Sequence, residues 1–442
     1  MRLEDILNNC EYLNIYNKRD IFVEGLSRDT RTINENEFFI AIKGENFDGN
    51  NYVLDALNKG ASGVIMDAEL VDEEIISFGK PIILVKDSVK FLQDMAAYKR
   101  SLYDIPVIAI TGSVGKTSTK DIVASVVSQK YNCLKTEGNF NNHIGLPLTI
   151  LKLKDHEALV VEMGMNHFHE IEVLSKIAKP TLAVITNVGT AHIGILGSRE
   201  NILKAKLEIL EGLSGKLIIN NDNDLLNKWN SENSDYEVIT YGINNESNIM
   251  ALNSKYYEEF SEFSCMNNLV KVPVSGEHFV YNAMCAIAVG LELGISFEGI
   301  QKGIEEFSLS NNRMSLIKGD YIIIDDTYNA NYDSVMSGLK YLNVLSGRKV
   351  AVLGDMLELG EYSIDLHKQI GVQLNNMDID IIITVGELSK NINDALIDKV
   401  NYHFDNNEDA INYLNNIKKT DDKILIKASN GMRFKEIVEG IK

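Results

Sequence analysis

Short apolar runs alternate with helix-like segments along most of the chain, and this alternation limits the fold more than any other feature. Continuous apolar runs of about four to eight residues are typical of strands buried on both faces. Strands joined through helices lie parallel, with the helices covering the sheet. The sequence therefore predicts an α/β fold. The runs are EFFIAI (37–42), GVIM (63–66), PIILV (81–85), VIAIT (107–111), ALVVEMG (158–164), LAVITN (182–187), KLIIN (216–220), YIIIDDT (321–327), KVAVLGD (349–355), DIDIIITVG (378–386) and KILIKAS (423–429).

A chain of 442 residues is too long for one ordinary domain. The polar turn Tyr103-Asp104 and Pro106 precede one series of strands, and another series begins after Arg313. We predict three domains: a small α/β N-terminal domain (1–103), a central domain with a mostly parallel sheet (104–312) and a C-terminal Rossmann-like domain (313–442). Residues 230–275 show no clear alternation, and we expect an antiparallel edge there.

Charge and composition exclude several classes of function. A net charge of −20 repels a phosphate backbone, so nucleic acid is not an expected partner. Four scattered cysteines form no CxxC pair, which argues against a zinc site or a disulfide framework. The start, MRLEDILNNC, lacks the features of a secretory leader, and no run of about 18 apolar residues occurs. We expect a cytoplasmic monomer without a membrane span.

The segment TGSVGKT (111–117) follows a predicted strand and opens a predicted helix. Glycines let backbone N–H groups turn toward phosphates, lysine can offset phosphate charge, and a threonine hydroxyl can hold Mg²⁺. The general pattern requires a glycine at Ile110, so only a shorter TGxxGKT form matches. This indicates a P-loop mononucleotide-binding domain; the alternative is a strand-to-helix turn with an incidental lysine. The predicted ATP-binding residues are Gly112, Ser113, Val114, Gly115, Lys116, Thr117 and Ser118.

Five further segments, which span all three predicted domains and follow the order of the family's motifs, resemble motifs of the Mur ligase family. They are SRDTRTINENEFFIAIKGENFDG (27–49), GNFNNHIGLP (138–147) with VVEMGMNH (160–167), DDTYNANYDS (325–334) and VLGDMLELG (352–360). The last two resemble the family member that adds D-alanyl-D-alanine. The resemblance implies an ATP- and Mg²⁺-dependent ligase that joins D-alanyl-D-alanine to UDP-N-acetylmuramoyl-tripeptide through an acyl phosphate in peptidoglycan synthesis. Such a reaction gathers negative charge, which metal ions and fixed dipoles must offset.

The resemblance also assigns roles in the central domain. Glu162 ends a buried strand, where α/β sheets place functional side chains, and is implied to be a Mg²⁺ ligand with Thr117. His192 is implied to lie near a second metal, and Asn142 near the acyl phosphate. The alternatives are a loop-capping carboxylate, a structural histidine and a turn residue. Lys116, Lys206, His192 and Asn142 are the predicted catalytic residues.

Lys206 falls within the apolar stripe of a predicted helix, between Ile202 and Leu210. One interpretation is a lysine whose stem packs while its ammonium reaches solvent. The family resemblance implies instead a carbamylated lysine that serves as a metal-bridging carboxylate. Leu207, where the family commonly has glycine, would crowd that site.

Further ligand contacts also follow from the resemblance. The alternatives are a polar turn in the first domain and a turn-forming Asp/Asn cluster in the third. Contacts to the ATP ribose or base are implied for Asn282, Arg313 and Asp326. Acceptor contacts are implied for Asn329 and Asn331. Contacts to the UDP portion of the substrate are implied for Ser27, Asp29, Thr30, Arg31 and Lys43.

The sequence departs from the family pattern at Phe279 and Tyr332, where asparagine and proline are usual, and at Asn430, where a C-terminal KxSR motif has arginine. Arginine can pair with a carboxylate through two hydrogen bonds and asparagine cannot, so Asn430 leaves the acceptor specificity open.

Three alternatives therefore stay open. Another ligase of this class is one, but the DNPR motif of the enzyme adding the third stem residue is absent, and folylpolyglutamate synthetase lacks a first domain like residues 27–49. A P-loop ATPase switch or regulatory binding protein would need only the phosphate loop. A catalytically degraded paralogue is the third.

Overall fold

The computed structural model of the protein describes residues 1–44, 46–309 and 314–442. Each apolar run that predicted a strand contains one, and the α/β fold class is confirmed. The predicted boundary at 103/104 falls between a helix and the first strand of the next sheet. The boundary at 312/313 and the predicted ligand contact Arg313 lie outside the described residues.

The N-terminal sheet has five strands in the order β1-β5-β4-β3-β2, with only β1 antiparallel to its neighbour. Its last helix begins where the Asp87 carboxylate accepts hydrogen bonds from two backbone N–H groups of the first turn. The strands are β1 Asn14–Tyr16, β2 Gly25–Ser27, β3 Glu37–Ile40, β4 Gly63–Asp67 and β5 Ile82–Val85. The helices are α1 Leu3–Asn9, α2 Val53–Asn58, α3 Glu73–Ser77 and α4 Ser88–Ser101.

The central sheet has seven parallel strands in the order β12-β11-β10-β9-β6-β8-β7. Strands β7 and β8 lie on one side of β6, and β9 to β12 lie on the other. Ligands of parallel sheets bind at such points, where the order of the strands changes direction. The strands are β6 Val107–Thr111, β7 Cys133–Lys135, β8 Ala158–Glu162, β9 Leu182–Ile185, β10 Lys216–Asn220, β11 Val238–Gly242 and β12 Ile249–Met250. The helices are α5 Lys116–Val127, α6 Gly145–Leu151, α7 Glu170–Ala178, α8 Ile193–Leu196, α9 Arg199–Leu207, α10 Asp224–Glu232, α11 Glu277–Glu292 and α12 Phe297–Glu305.

Where an antiparallel edge was expected, the chain forms a separate three-stranded antiparallel sheet: β13 Leu252–Tyr256, β14 Ser261–Cys265 and β15 Asn268–Val272. Side chains of β14 alternate between buried and half-buried, and the buried Phe263 and Cys265 join the core around α11. Met266 and Asn267, both with positive φ, form the two-residue turn of the second hairpin. The switch to period two explains why the segment did not look like the rest of the domain.

The C-terminal sheet has six strands in the order β16-β17-β21-β18-β19-β20, with only β16 antiparallel. The strands are β16 Ser315–Lys318, β17 Ile322–Asp325, β18 Lys349–Gly354, β19 Ile381–Val385, β20 Asn401–Phe404 and β21 Lys423–Lys427. The helices are α13 Tyr332–Val344, α14 Ser363–Leu374, α15 Lys390–Asp394, α16 Asn407–Ile417 and α17 Lys435–Ile441. None of the described helices combines the length and apolarity that a membrane span requires.

Candidate active site

A cavity of about 500 Å³ lies where the phosphate loop of the central domain faces the first turn of α13 in the C-terminal domain. Residues predicted for nucleotide, metal and acceptor binding therefore line one space, although they are far apart in the sequence. Those that line it are Ser113, Val114, Gly115, Lys116, Ser118, Asn142, Glu162, His192, Asn282, Asp326, Asn329 and Asn331.

The phosphate loop joins β6 to α5, and residues that directly follow β9 hydrogen-bond to it. Gly115 has a φ of +80° directly before the helix, a conformation that glycine adopts without strain. A Cβ at Gly112 would lie 1.9 Å from Oγ1 of Thr186, so no larger residue fits there. The backbone N–H groups of Ser113 and Val114 donate to Oδ1 of Asn187, at 3.1 and 3.0 Å. Sequence reasoning missed Asn187, although it ends the run LAVITN.

Glu162 lies at the carboxyl end of β8 and is 1% exposed. Its carboxylate accepts one hydrogen bond from Oγ1 of Thr117 at 2.8 Å and one from Nδ2 of Asn141 at 2.7 Å. Asn141 was missed in favour of its neighbour Asn142, whose Oδ1 instead accepts from the backbone N–H of Gly145 at the start of α6, at 2.8 Å. Both asparagines line the cavity.

The groups around Glu162 fit Mg²⁺. Thr117 and Glu162 present hard oxygen atoms 2.8 Å apart, the donor type that Mg²⁺ prefers. Over the described ranges no group of three His, Cys, Asp or Glu side chains is placed to hold a metal. A site with few protein ligands suits Mg²⁺, which keeps several waters and binds phosphate oxygens of the substrate.

The side chains of Lys116, His192 and Lys206 lie near enough to one another to influence pKa values beside the phosphate loop. Lys206 is 1% exposed, and burial, with Lys116 next, places its pKa well below the usual value. Burial, followed by the charges of Lys116 and Lys206, lowers the pKa of His192 to about 4. Nδ1 of His192 lies 3.4 Å from Oε2 of Glu358 in the C-terminal domain. The end group of Lys206 does not reach solvent, and burial favours its uncharged form.

Residues of the C-terminal domain at the cavity are partly engaged with each other. Oδ2 of Asp326 pairs with Nζ of Lys427 at 2.6 Å, and the same Nζ donates to the carbonyl oxygen of Asn329 at 2.9 Å. Oδ1 of Asn331 accepts from the backbone N–H of Ser334, which makes Asn331 the N-cap of α13.

Asn282 presents an unused donor at the cavity. Its Oδ1 accepts from Oγ1 of Thr119 at 2.9 Å, while its Nδ2 is buried without a hydrogen-bond partner in the described part of the chain. A ligand oxygen or ring nitrogen would satisfy that donor.

The predicted UDP-contacting residues lie outside the lining of this cavity. Asp29 and Arg31 form a two-bond ion pair with each other, with Nη2 to Oδ2 at 2.6 Å. The side chain of Lys43 is 71% exposed. Arg28, which sequence reasoning missed, lies over the ring of Phe140 at 5.7 Å. This contact joins the 27–31 loop to the segment GNFNNHIGLP, which does line the cavity.

The departures from the family pattern are accommodated within the fold. Phe279 is 1% exposed and its ring lies 4.1 Å from that of His278. Tyr332 is the first residue of α13, a position that proline also occupies readily. Leu207 packs against the main core cluster. Asn430 begins a short 3₁₀ helix directly beyond β21.

Models of three domains match consecutive parts of the chain: the Mur ligase family catalytic domain over residues 23–100, the Mur ligase middle domain over 110–290 and the Mur ligase glutamate ligase domain over 312–430. The chain belongs to the Mur ligase family. A Bacillus subtilis relative named UDP-N-acetylmuramoyl-tripeptide–D-alanyl-D-alanine ligase is 38% identical over 95% of this chain and 93% of its own. The Escherichia coli ligase of the same name is 31% identical, over 96% and 94%.

Solved structures of Mur ligases resemble the whole chain. MurF from Acinetobacter baumannii matches with a TM-score of 0.90 and 29% identity, covering 99% of this chain and 98% of that one. MurF from Thermotoga maritima in complex with ADP matches with a TM-score of 0.84 and 29% identity, covering 95% and 97%. Folylpolyglutamate synthase from Mycobacterium tuberculosis is 14% identical with a TM-score of 0.63, a likeness of fold alone.

Proposed function

We propose that this Mur ligase joins D-alanyl-D-alanine to UDP-N-acetylmuramoyl-tripeptide with the energy of ATP, in peptidoglycan precursor synthesis. The observation that carries the proposal is that the phosphate loop and the first turn of α13 line one cavity. Carboxylate activation and delivery of the amine can therefore take place at one point. The relatives that match nearly the whole chain carry the name of this activity. The proposed active unit is a cytoplasmic monomer.

The reaction proceeds in two displacements. A carboxylate oxygen of the tripeptide attacks the γ-phosphorus of ATP, and ADP leaves with the electrons of the broken bond. The amine of D-alanyl-D-alanine then attacks the acyl carbon, loses a proton and displaces inorganic phosphate. Both displacements concentrate negative charge, so the residues' main tasks are positioning and electrostatic stabilisation.

Side chains of the central domain supply that stabilisation. The Lys116 ammonium, at the N-terminus of α5, offsets charge on the β and γ phosphates. Thr117 and Glu162 would hold Mg²⁺, which would supply further positive charge to the phosphates. The unused Nδ2 of Asn282 would donate to the nucleotide. His192 lines the same cavity, and Lys206 lies buried beside Lys116.

The flanking domains would hold the two other substrates. We place the UDP portion at residues 27–31 and Lys43, because the Arg28–Phe140 contact joins that loop to the lining of the cavity. We place the amine beside Asn329 and Asn331 at the start of α13, where both residues line the cavity. We place the ATP ribose or base beside Asp326, whose carboxylate is held by Lys427.

A phosphate-release assay combined with mass spectrometry of the products tests the function. Release that requires both UDP-N-acetylmuramoyl-tripeptide and D-alanyl-D-alanine, with the amide product detected, is the expected result. ATP hydrolysis without the UDP substrate would indicate an ATPase switch. An amide formed only with other amino acids or dipeptides would indicate a different ligase, and no turnover of any substrate would indicate a degraded paralogue.

Replacing Glu162 with glutamine should raise the Mg²⁺ concentration for half-maximal ligation at least about tenfold, because the neutral amide loses one hard anionic oxygen. Titrating Mg²⁺ at saturating ATP measures this. Glu157→Gln is the matched control. Glu157 is exposed and directly precedes the first residue of β8, whereas Glu162 is the last residue of that strand. An unchanged Mg²⁺ requirement in Glu162→Gln would remove this carboxylate from the metal site.

A further inference from the structure

We propose that Asp333, which no step above uses, is a positioning residue that fastens the C-terminal domain to the support of the phosphate loop. Asp333 lies in the first turn of α13. Its Oδ2 accepts two hydrogen bonds across the domain interface, from the backbone N–H of Thr190 at 2.7 Å and from Oγ1 of Thr190 at 2.9 Å. Hydrogen bonds to a carboxylate are stronger than neutral ones, so this pair contributes substantially to a domain contact.

The segment that carries Thr190 is also bonded to the phosphate loop. Oγ1 of Thr186 donates to the carbonyl oxygen of Val114 at 2.8 Å, and the backbone N–H of Gly189 donates to Oγ of Ser113 at 2.9 Å. Together with Asn187, these contacts attach residues 186–190 to the loop on one side, while Thr190 contacts Asp333 on the other. A shift of the phosphate loop would therefore move the partner of Asp333.

Close approach of backbones at this interface requires glycine. A Cβ at Gly189 would lie 2.2 Å from Oδ2 of Asp333. A Cβ at Gly194 would lie 2.4 Å from the backbone nitrogen of Gly360 in the C-terminal domain. Nearby, the hydroxyl of Tyr362 donates to the carbonyl oxygen of Gly197 at 2.6 Å. These contacts specify one docked position of the C-terminal domain, in which the carboxylate has room to reach Thr190.

Asp333 acts through its neighbours on α13. Asn331 caps the helix and Ser334 is its reciprocal capping partner, and both line the cavity where we place the amine. Holding Asp333 therefore fixes the acceptor side of the site relative to the phosphate loop. The inference rests on the proposed function for the identity of the amine, but the docking itself is independent of any acceptor.

The variants separate hydrogen bonding from helix effects. Asp333→Ala removes the acceptor, whereas Asp333→Asn keeps an oxygen that can accept both bonds from Thr190. Thr190→Val removes the hydroxyl donor from the other domain without changing α13. Asp365→Ala is the matched control, because Asp365 also lies in the first turn of a helix of similar length, α14, and is exposed.

Steady-state ligation gives the first measurement. Asp333→Ala should raise KM for D-alanyl-D-alanine at least about tenfold while KM for ATP changes less than about twofold. Asp333→Asn should recover most of the loss, Thr190→Val should show an intermediate loss, and Asp365→Ala should behave as the unaltered enzyme. If the unaltered enzyme ligates D-alanyl-D-alanine and Asp333→Ala and Thr190→Val match it, the positioning role is overturned.

Interdomain distances give a second measurement that needs no acceptor. Spin labels are attached to Lys228→Cys in the central domain and Lys368→Cys in the C-terminal domain, both exposed positions, in a Cys133→Ser background. The distance between the two labels, measured with AMP-PNP and Mg²⁺ bound, reports the separation of the two domains. The unaltered interface should give one narrow distance distribution, and Asp333→Ala a broader or longer one. Identical distributions would overturn the proposal even if the protein proved to ligate a different amine. Absence of ligation with a narrow, Asp333-dependent distribution would instead count against the proposed function alone.

Discussion

Lys116→Ala is expected to lower the ligation rate at least about a hundredfold, a magnitude typical of deleting one group that stabilises charge in a transition state. Lys116 is the first residue of α5, and its Nζ donates to the carbonyl oxygen of Gly112 at 2.7 Å, so the ammonium is held against the phosphate loop. As the γ-phosphoryl group is transferred, negative charge spreads over its oxygens and the leaving β-phosphate. Without the ammonium, residues 111–118 have no cationic side chain to offset that charge.

Single-turnover ligation at saturating ATP measures the effect on the chemical step, and ADP binding measured by calorimetry checks that the loop still folds. Lys130→Ala is the matched control. Lys130 lies just beyond the other end of α5 and also donates to a backbone carbonyl, that of Leu293 at 2.8 Å, but far from the cavity. Near-native single-turnover rates in Lys116→Ala would remove the phosphate loop from the mechanism.

The secondary structure was largely predictable because strands that are buried on both faces of a parallel sheet are continuous apolar runs in the sequence. Strands such as β6 and β8 are buried along their whole length and appear as unbroken apolar runs. The three-stranded sheet of residues 252–272 was not predictable in the same way, because its strands alternate and its polar turns resemble a loop.

Site residues were predictable where their motif lies on one continuous segment of the sequence. They were less predictable where contacts between distant segments determine which side chain reaches the site. The helical pattern placed the stem of Lys206 in the apolar stripe but left open whether its end group reaches solvent, and only the folded structure shows that the residue is 1% exposed. The choice between Asn141 and Asn142 depends on which side chain reaches Glu162, and two adjacent residues of the same type carry no sequence signal for that. The bond between Asp333 and Thr190 joins residues 143 positions apart and appears only once two domains are docked.

Lys206→Ala is expected to lose most of the ligase activity, about a hundredfold or more, and to regain part of it with added short carboxylates. The family resemblance implies that this lysine is carbamylated, and the structure supplies the physical condition for that reaction. Only an uncharged amine can attack the carbon of CO₂, and with a reference pKa of about 10.4 roughly one lysine in a thousand is uncharged near neutral pH. Burial, with the charge of Lys116, places the pKa of Lys206 well below that value. The fraction of Lys206 in the uncharged, reactive form at a given pH is therefore much larger than for an exposed lysine.

A carbamate at this position would carry its negative charge among basic groups. The charge of Lys116 lowers the pKa of Lys206, and Lys206 in turn lowers the pKa of His192, so the three side chains lie close together. The carbamate that the family resemblance implies would supply hard oxygen ligands for a metal. Alanine leaves a void beside the cluster, and acetate or formate could occupy it and restore the missing oxygens.

Ligation rates of Lys206→Ala with and without acetate, and of Lys204→Ala as the matched control, measure the effect. Lys204 lies on the same helix, α9, but is exposed, so its loss should leave the rate within about twofold of the unaltered enzyme, as for most surface substitutions. Removing CO₂ and bicarbonate should reduce the activity of the unaltered enzyme and leave Lys206→Ala unchanged, because only the former has an amine to carbamylate. Full activity of Lys206→Ala, or a crystal structure grown with bicarbonate that shows an unmodified amine at Lys206, would leave this residue as a buried structural lysine.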